Sequence, residues 1–375
     1  MIKKFSISNF KCFKEQEFKL NKLNVFTGYN GRGKSSVIQA LLMLAQSVGR
    51  YADIKTLSVN GNFVSLDLFS DLLFDDENRI SFYIENTEEP IKKIQLQYEQ
   101  DEKNDRTGKL CGLHINGKNF SNVAKTFMSD KEKEASQDET PQFDKYDTGA
   151  IQKLFQNFYY ISANRLGPTR FEEKKELDIL NPIGINGQAK LNILRKNDDL
   201  LRKVEGNIRY IMDTDDGLEL SSDSASVIEL YFSNNNKKIK AINTGFGYSY
   251  ILSIVLLLNY VESGVIFIEN PEAHLHPLAQ SRLLELICKM LDSKDNMQVY
   301  IETHSEHIIN AIRLVSVKKE LKLNNENISI YFFDKDFSVK KLEINDKGQI
   351  LQWPTGFFDQ QAKDLSEIIR LGLKN

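Results

Sequence analysis

The stretch VFTGYNGRGKSSVIQALLMLAQSVG, residues 25 to 49, decides how the chain is read. It runs from an apolar strand through a glycine-rich loop into an apolar-periodic helix. Gly28 to Gly33-Lys34-Ser35 has the spacing G-x4-G-K-S, that of a phosphate-cradling P-loop. Successive N–H groups of such a loop point inward at phosphate oxygens, and the following helix adds about half a positive charge at its N-terminus. The candidate nucleotide-binding residues are therefore Gly28, Tyr29, Asn30, Gly31, Arg32, Gly33, Lys34, Ser35 and Ser36. Lys34 is expected to reach the β- and γ-phosphates, and the Ser35 hydroxyl to ligate Mg²⁺. At Gly28, Gly31 and Gly33 a Cβ would clash with phosphate or forbid a positive φ. A glycine-rich turn that matches by chance is the alternative, and the strand before and helix after argue against it.

Working outward, Val37, Leu41, Leu44 and Val48, with Ile38 and Leu42 beside them, give the helix from Ser35 to about Val48 one apolar face. Upstream, IKKFSISNF and KEQEFKL read as two short strands. Residues 79 to 120 alternate like a β-meander, and 129 to 147 are charged and nearly devoid of aliphatics, a mobile surface segment in expectation. AKLNILRKNDDLLRKVEGNIRYIM, 189 to 212, reads as one helical stretch. The C-terminal part alternates helix and strand: helix 249–262, VIFIE, helix 278–292, QVYIE, helix 305–316, ISIYFF. That alternation predicts a mostly parallel sheet with nucleotide at the C-terminal ends of its strands.

Composition narrows the class. The chain has 375 residues, 41% of them hydrophobic, enough for one large α/β domain with a subsidiary lobe or for two domains. No apolar run approaches the ~18 residues of a membrane span, and MIKKFSISNF lacks a signal-peptide apolar core, so a soluble cytoplasmic protein with no membrane partner is expected. Cys12, Cys111 and Cys288 lie too far apart for a zinc or disulfide framework. A net charge of -3 argues against coating nucleic acid by bulk charge and leaves a local basic patch open.

Three further stretches carry chemistry. In GVIFIENPEAHLHPLAQSRL an apolar strand ends in Glu269, which fits a Walker B carboxylate directed at the Mg²⁺ shell. In QVYIETHSEHIINAIR a second buried strand ends at Thr303-His304-Ser305, where His304 can sense the γ-phosphate. INTGFGYSYILSIVLLL is a glycine-rich turn leading into an apolar helix.

In this order the motifs resemble an ABC-type ATPase head of the branch containing the SMC, RecF and OLD proteins. The resemblance is closer to AAA-family bacterial ATPases ending in a small domain of unknown function with a WPxGFFDQ motif, here WPTGFFDQ, Trp353 to Gln360. YYISANRLGP (159–168) also looks like that family's segment, with Asn164 where Glu is usual. The resemblance spans roughly 1–50 and 155–365. It implies an α/β P-loop NTPase of ABC-ATPase type: a mixed or parallel sheet flanked by helices, an antiparallel β subdomain and an inserted helical lobe. The expected division is a head at 1–75 and 241–334, an insert at 76–240 and a small C-terminal domain at 335–375.

The family implies further roles. Two protomers sandwich ATP, the signature turn of one meeting the γ-phosphate held by the other, with Thr244, Gly245, Gly247 and Ser249 as candidates. A helix start capped by Thr244 or Ser249 is the alternative. Tyr250 stands where the branch often has Gln. The usual Asp-Glu pair of Walker B is Glu269-Asn270 here, and a carboxamide cannot take a proton from water. Glu272 is the nearest spare carboxylate, so the catalytic candidates are Glu269, Glu272 and His304, the Mg²⁺ ligands Ser35 and Glu269, and turnover is expected to be slow. Alternatively, Glu272 caps the helix beginning near Pro277. His274 to Pro277 fits a dimer-facing D-loop better than a metal site, and Asp334 with Asp336 fits a strand-ending turn better than a nuclease pair. Phe10 and Lys11 in NFKCFK resemble the N-terminal segment that lies near adenine or phosphate in this branch, with a core aromatic on a strand as the alternative.

Three functions follow in expectation. The first is an ATP-dependent switch, a homodimer or higher oligomer read by a separately encoded effector, as in relatives that act in bacterial anti-phage defence. The second is a RecF-like DNA-processing ATPase, with nucleic acid as partner. The third is a non-hydrolysing scaffold, suggested by Asn270. About 40 residues follow ISIYFF, too few for the catalytic domain of an OLD-like nuclease.

Overall fold

In the computed structural model, which describes residues 1–49, 54–120, 148–178, 181–221, 226–234, 237–318 and 320–373, β1 (Ile2–Phe10) and β2 (Phe13–Lys19) form a hairpin. β3 (Leu23–Gly28) then delivers the glycine loop to α1 (Lys34–Leu44), which ends in a π turn over Ala45–Gly49. β4 (Thr56–Ser58) precedes the meander β5 (Arg79–Asn86), β6 (Lys93–Asp101), β7 (Asn104–Ile115) and β8 (Lys118–Asn119). The charged stretch 129–147 lies outside the described residues.

After α2 (Thr148–Lys153) come β9 (Phe158–Ile161), β10 (Glu172–Glu173), α3 (Lys190–Leu194), α4 (Asp198–Met212) and β11 (Gly217–Ser221). β12 (Val227–Asn234) and β13 (Lys237–Lys240) lead to α5 (Phe246–Tyr260), β14 (Gly264–Glu269), α6 (Pro277–Ser293), β15 (Met297–Glu302) and α7 (Glu306–Val317). β16 (Ile328–Phe333), β17 (Val339–Leu342) and α8 (Gln360–Gly372) follow.

The central sheet has the order β17-β16-β3-β15-β14-β9, parallel except for β17. β16, β3, β15 and β14 are buried on both faces, which is why they read as nearly continuous apolar runs. Successive side chains part to opposite sides. Val25, Ile266, Val299, Ile301 and Ile330 enter the core under α5, α6 and α7, whereas Phe26, Phe267, Tyr300 and Phe333 enter the core shared with α1 and the antiparallel sheet. All five parallel strands therefore run their C-terminal ends to one edge of the molecule.

α1 enters the core as its apolar residues require: Val37, Ile38 and Ala40 to Leu44 are all buried, because the central sheet and the antiparallel sheet enclose it. One expectation needs correction. The 189–212 stretch is two helices, broken where the Asn197 side chain accepts from the Leu200 N–H and starts α4 afresh. Within 76–240 the meander completes the sheet of β1 and β2, β9 joins the central sheet, and β10 to β13 make a sheet of their own. Within 335–375, β17 pairs with β16 and Phe357 packs in the main core.

Candidate functional site

Gly28, Gly31 and Gly33 adopt φ of +120°, +69° and +99°, the left-handed region that lets the loop turn its N–H groups inward. A Cβ on Gly28 would also overlap the Phe333 carbonyl of the neighbouring strand. Lys34 is buried, and its Nζ donates to the Gly28 carbonyl at 3.1 Å and the Tyr29 carbonyl at 2.7 Å. Burial pulls Lys34 below the ordinary lysine range, with Glu302 acting against it.

Strand order decides which carboxylate meets the loop. β15 lies between β3 and β14, and the Ser35 hydroxyl donates to Glu302 Oε1 at 2.9 Å. Sequence reading named Glu269 as the partner of Ser35 at the metal and passed over Glu302. The available signal was a carboxylate closing the otherwise buried run QVYIE. Glu269 and Glu302 are register partners on adjacent strands, so their side chains share a face. Glu302 is buried and its Oε2 has no hydrogen-bond partner among the described residues. Burial pushes its pKa up to about 7; the Ser35 hydrogen bond opposes this, and the Glu269 charge adds to it.

The Glu269 carboxylate accepts from the Ala163 N–H at 3.1 Å. Arg165, buried and also unforeseen as a site residue, clamps the end of β14: it donates to the carbonyls of Ser162 at 3.1 Å, Glu269 at 2.7 Å and Asn270 at 2.6 Å. Burial lowers Arg165 to about 10, which leaves it charged at neutral pH. Asn270 sits at φ +43° and its N–H donates to the Glu302 carbonyl, so the residue forms a left-handed turn that Asn tolerates better than Glu.

Glu272 comes back to the next strand end. It accepts from the Thr303 hydroxyl and the His304 N–H, both at 2.8 Å. The start of α6 is capped instead by His276, whose Nδ1 accepts from the Leu278 N–H. His304 is held below the ordinary imidazole range by desolvation and by the Lys34 charge, so it is neutral at pH 7. Lys34, Ser35, Glu269, Glu272, Glu302 and His304 thus meet at one edge of the sheet.

The glycine-rich turn opens α5. Gly245 is its N-cap, the Thr244 hydroxyl donates to the Ala241 carbonyl, and Gly247 packs on the His274 carbonyl. Ser249 is buried, so its side chain faces the core. Phe246 is 53% exposed and stacks near His274 at 5.2 Å between ring centroids. Asn30 and Gly31 are exposed, while Arg32 lies 4.3 Å over the Phe337 ring. Asp334 and Asp336 are satisfied by Lys340 and Ser338 on a surface turn. Among the described residues, no group of three or more His, Cys, Asp or Glu is arranged to hold a metal by itself.

The AAA ATPase domain family matches residues 1–215 and 171–309, and a family described as a protein of unknown function (DUF3696) matches 323–368. An OLD nuclease of Thermus scotoductus is 21% identical over 354 residues, which are 88% of this chain. The chain spans 64% of that protein's length. An SMC head bound to the C-terminal winged-helix domain of ScpA shares the fold at a TM-score of 0.57 and 13% identity, covering 92% of this chain and 97% of that one. The SMC head with an extended coiled coil from Pyrococcus furiosus does so at 0.51 and 11% identity, covering 98% and 99%. No helix among the described residues is long and apolar enough to cross a membrane.

Proposed function

Since the chain belongs to the AAA ATPase domain family, we propose that it is an ABC-type ATPase of the SMC and OLD kind that binds ATP with Mg²⁺ at residues 28–36 and hydrolyses it slowly as a nucleotide-controlled homodimer. One observation carries the reading: a buried lysine, a serine hydroxyl, the two glutamates that end adjacent strands and Glu272 from the turn after β14 converge at a left-handed glycine loop. The donor set fits Mg²⁺, which takes oxygen ligands from one or two carboxylates and otherwise from phosphate and water. Ser35 with Glu302, whose Oε2 is buried and unpartnered, would hold it, and Glu269 lies beside them. When bound, the ion would offset phosphate charge and replace the proton that Glu302 otherwise favours.

Glu272 and His304 are the residues we assign to the attacking water. The contacts of Glu272 with Thr303 and His304 hold its carboxylate at the strand end, and a neutral His304 can donate to phosphate while accepting from water. Asn270 contributes a backbone turn and no base, which supports slow turnover. The turn at Gly245 to Gly247, with exposed Phe246 beside it, is the surface we assign to the second protomer. A separately encoded effector, in an anti-phage defence setting, is the partner that the family resemblance favours.

Calorimetry with Mg²⁺ and ATP on the wild type and Lys34→Ala tests the site. Equal affinity in both would remove the loop from the mechanism. Sedimentation with a slowly hydrolysed ATP analogue tests the dimer, whose absence at saturating analogue would leave an ATPase without a sandwich.

A further inference from the structure

The segment WPTGFFD, 353–359, is built against the nucleotide loop from the far end of the chain. Gly356 takes φ +81° and lies so close to Tyr29 that a Cβ there would overlap the tyrosine hydroxyl. Phe357 is buried and meets Phe332 edge-on at 5.2 Å between ring centroids, and Phe332 meets the Tyr29 ring at 5.9 Å. Gly356, Phe357 and Phe358 line a cavity of about 90 Å³ together with Thr27, Gly28 and His304. The cavity therefore joins this segment to the loop and to the histidine at the end of β15.

The segment has a defined shape of its own. Trp353 Nε1 donates to the Phe357 carbonyl at 2.5 Å, and the Gly356 N–H donates to Asp359 Oδ2 at 3.0 Å. Phe358 sits at φ +52°, which a bulky L residue adopts only when its surroundings impose it. From the other side, the Lys335 ammonium lies 4.8 Å over the Tyr29 ring. Tyr29 is thus gripped between two parts of the 332–358 region.

Lys34 links this grip to phosphate. Two of the three donors of its ammonium go to the Gly28 and Tyr29 carbonyls. A phosphate drawn to Lys34 therefore acts on the backbone of the residue whose hydroxyl abuts Gly356.

We propose that residues 353–359 are a positioning element of the nucleotide site, seated through Gly356 on Tyr29, and that they report nucleotide occupancy to Trp353. The proposal rests on the reading of 28–36 as an ATP site. Trp353 is the single tryptophan of the chain, so its emission observes this element alone. Titration of the full chain with Mg²⁺–ATP should change the emission with the same midpoint as the calorimetric heat. Gly356→Ala should weaken ATP binding by about tenfold, within the range over which touching residues couple. Tyr29→Phe added to Gly356→Ala removes the overlapping hydroxyl and should recover part of the affinity relative to Gly356→Ala alone, the strain of alanine at φ +81° remaining.

Heat of ATP binding with no change in Trp353 emission overturns the proposal and leaves the ATP site standing. Equal affinity in wild type and Gly356→Ala does the same, as does a double variant no better than Gly356→Ala. No heat in the wild type overturns the ATP site and this proposal with it. Should Gly356→Ala fail to fold, the wild-type titration still decides.

Discussion

Glu302→Gln should remove a pH dependence that the wild type carries at the end of β15. In the folded chain the Glu302 carboxyl has a pKa of about 7 against an ordinary 4.5, because it is buried and faces Glu269. Below pH 4.5 the group is protonated in both folded and unfolded chains and contributes no difference. Between 4.5 and 7 the folded chain binds the proton more strongly, so raising the pH through this window removes stability. Above 7 the full loss remains. At 1.36 kcal/mol per pKa unit, the shift amounts to about 3 kcal/mol.

Glutamine keeps an acceptor for the Ser35 hydroxyl and has no charge to desolvate. Its amide hydrogens fall where Oε2 has no partner, a penalty of about 1–3 kcal/mol that does not vary with pH. The wild-type-minus-variant stability should therefore fall by about 3 kcal/mol between pH 4.5 and 8, whatever its offset. Urea denaturation of both proteins in nucleotide-free, Mg²⁺-free buffer at four pH values measures that difference, with Trp353 emission as one probe and far-UV circular dichroism as the other. A difference flat across pH, or one that grows in the wild type's favour above pH 7, would refute the assignment of a desolvated carboxyl at this strand end.

Glu272→Gln and His304→Ala should each lower single-turnover ATP hydrolysis by about 10²-fold with nucleotide still bound, the usual size of a general-base contribution; unaffected rates in both would leave the water without these residues. Arg165→Met strands three carbonyls, those of Ser162, Glu269 and Asn270, and should cost about 3 kcal/mol or more in urea denaturation. A loss under 1 kcal/mol would mean that water takes over the clamp. Asn270→Glu should lower stability by about 1–3 kcal/mol without raising turnover, since a glutamate is strained at φ +43°; a faster enzyme would show that this position does face the attacking water.

The sequence by itself determined everything that depends on near neighbours. G-x4-G-K-S between an apolar run and a periodic helix specifies a left-handed turn, inward N–H groups and a lysine at the helix start, because these follow from spacing and from the missing Cβ of glycine. The buried strands VIFIE, QVYIE and ISIYFF were legible for the same reason, as were the helices between them. Strand order was not. Whether Ser35 meets Glu269 or Glu302 depends on β15 lying between β3 and β14, and nothing in either strand's own pattern records its neighbour. The break at Asn197 was in principle readable, yet an unbroken apolar stripe outweighed one capping side chain. Arg165 looked like an ordinary loop cation until folding buried it among the carbonyls that end β14. The seat of Gly356 on Tyr29 joins the two ends of the chain, and only tertiary packing could decide it, since two residues that far apart touch for reasons held in the whole core and in no local pattern.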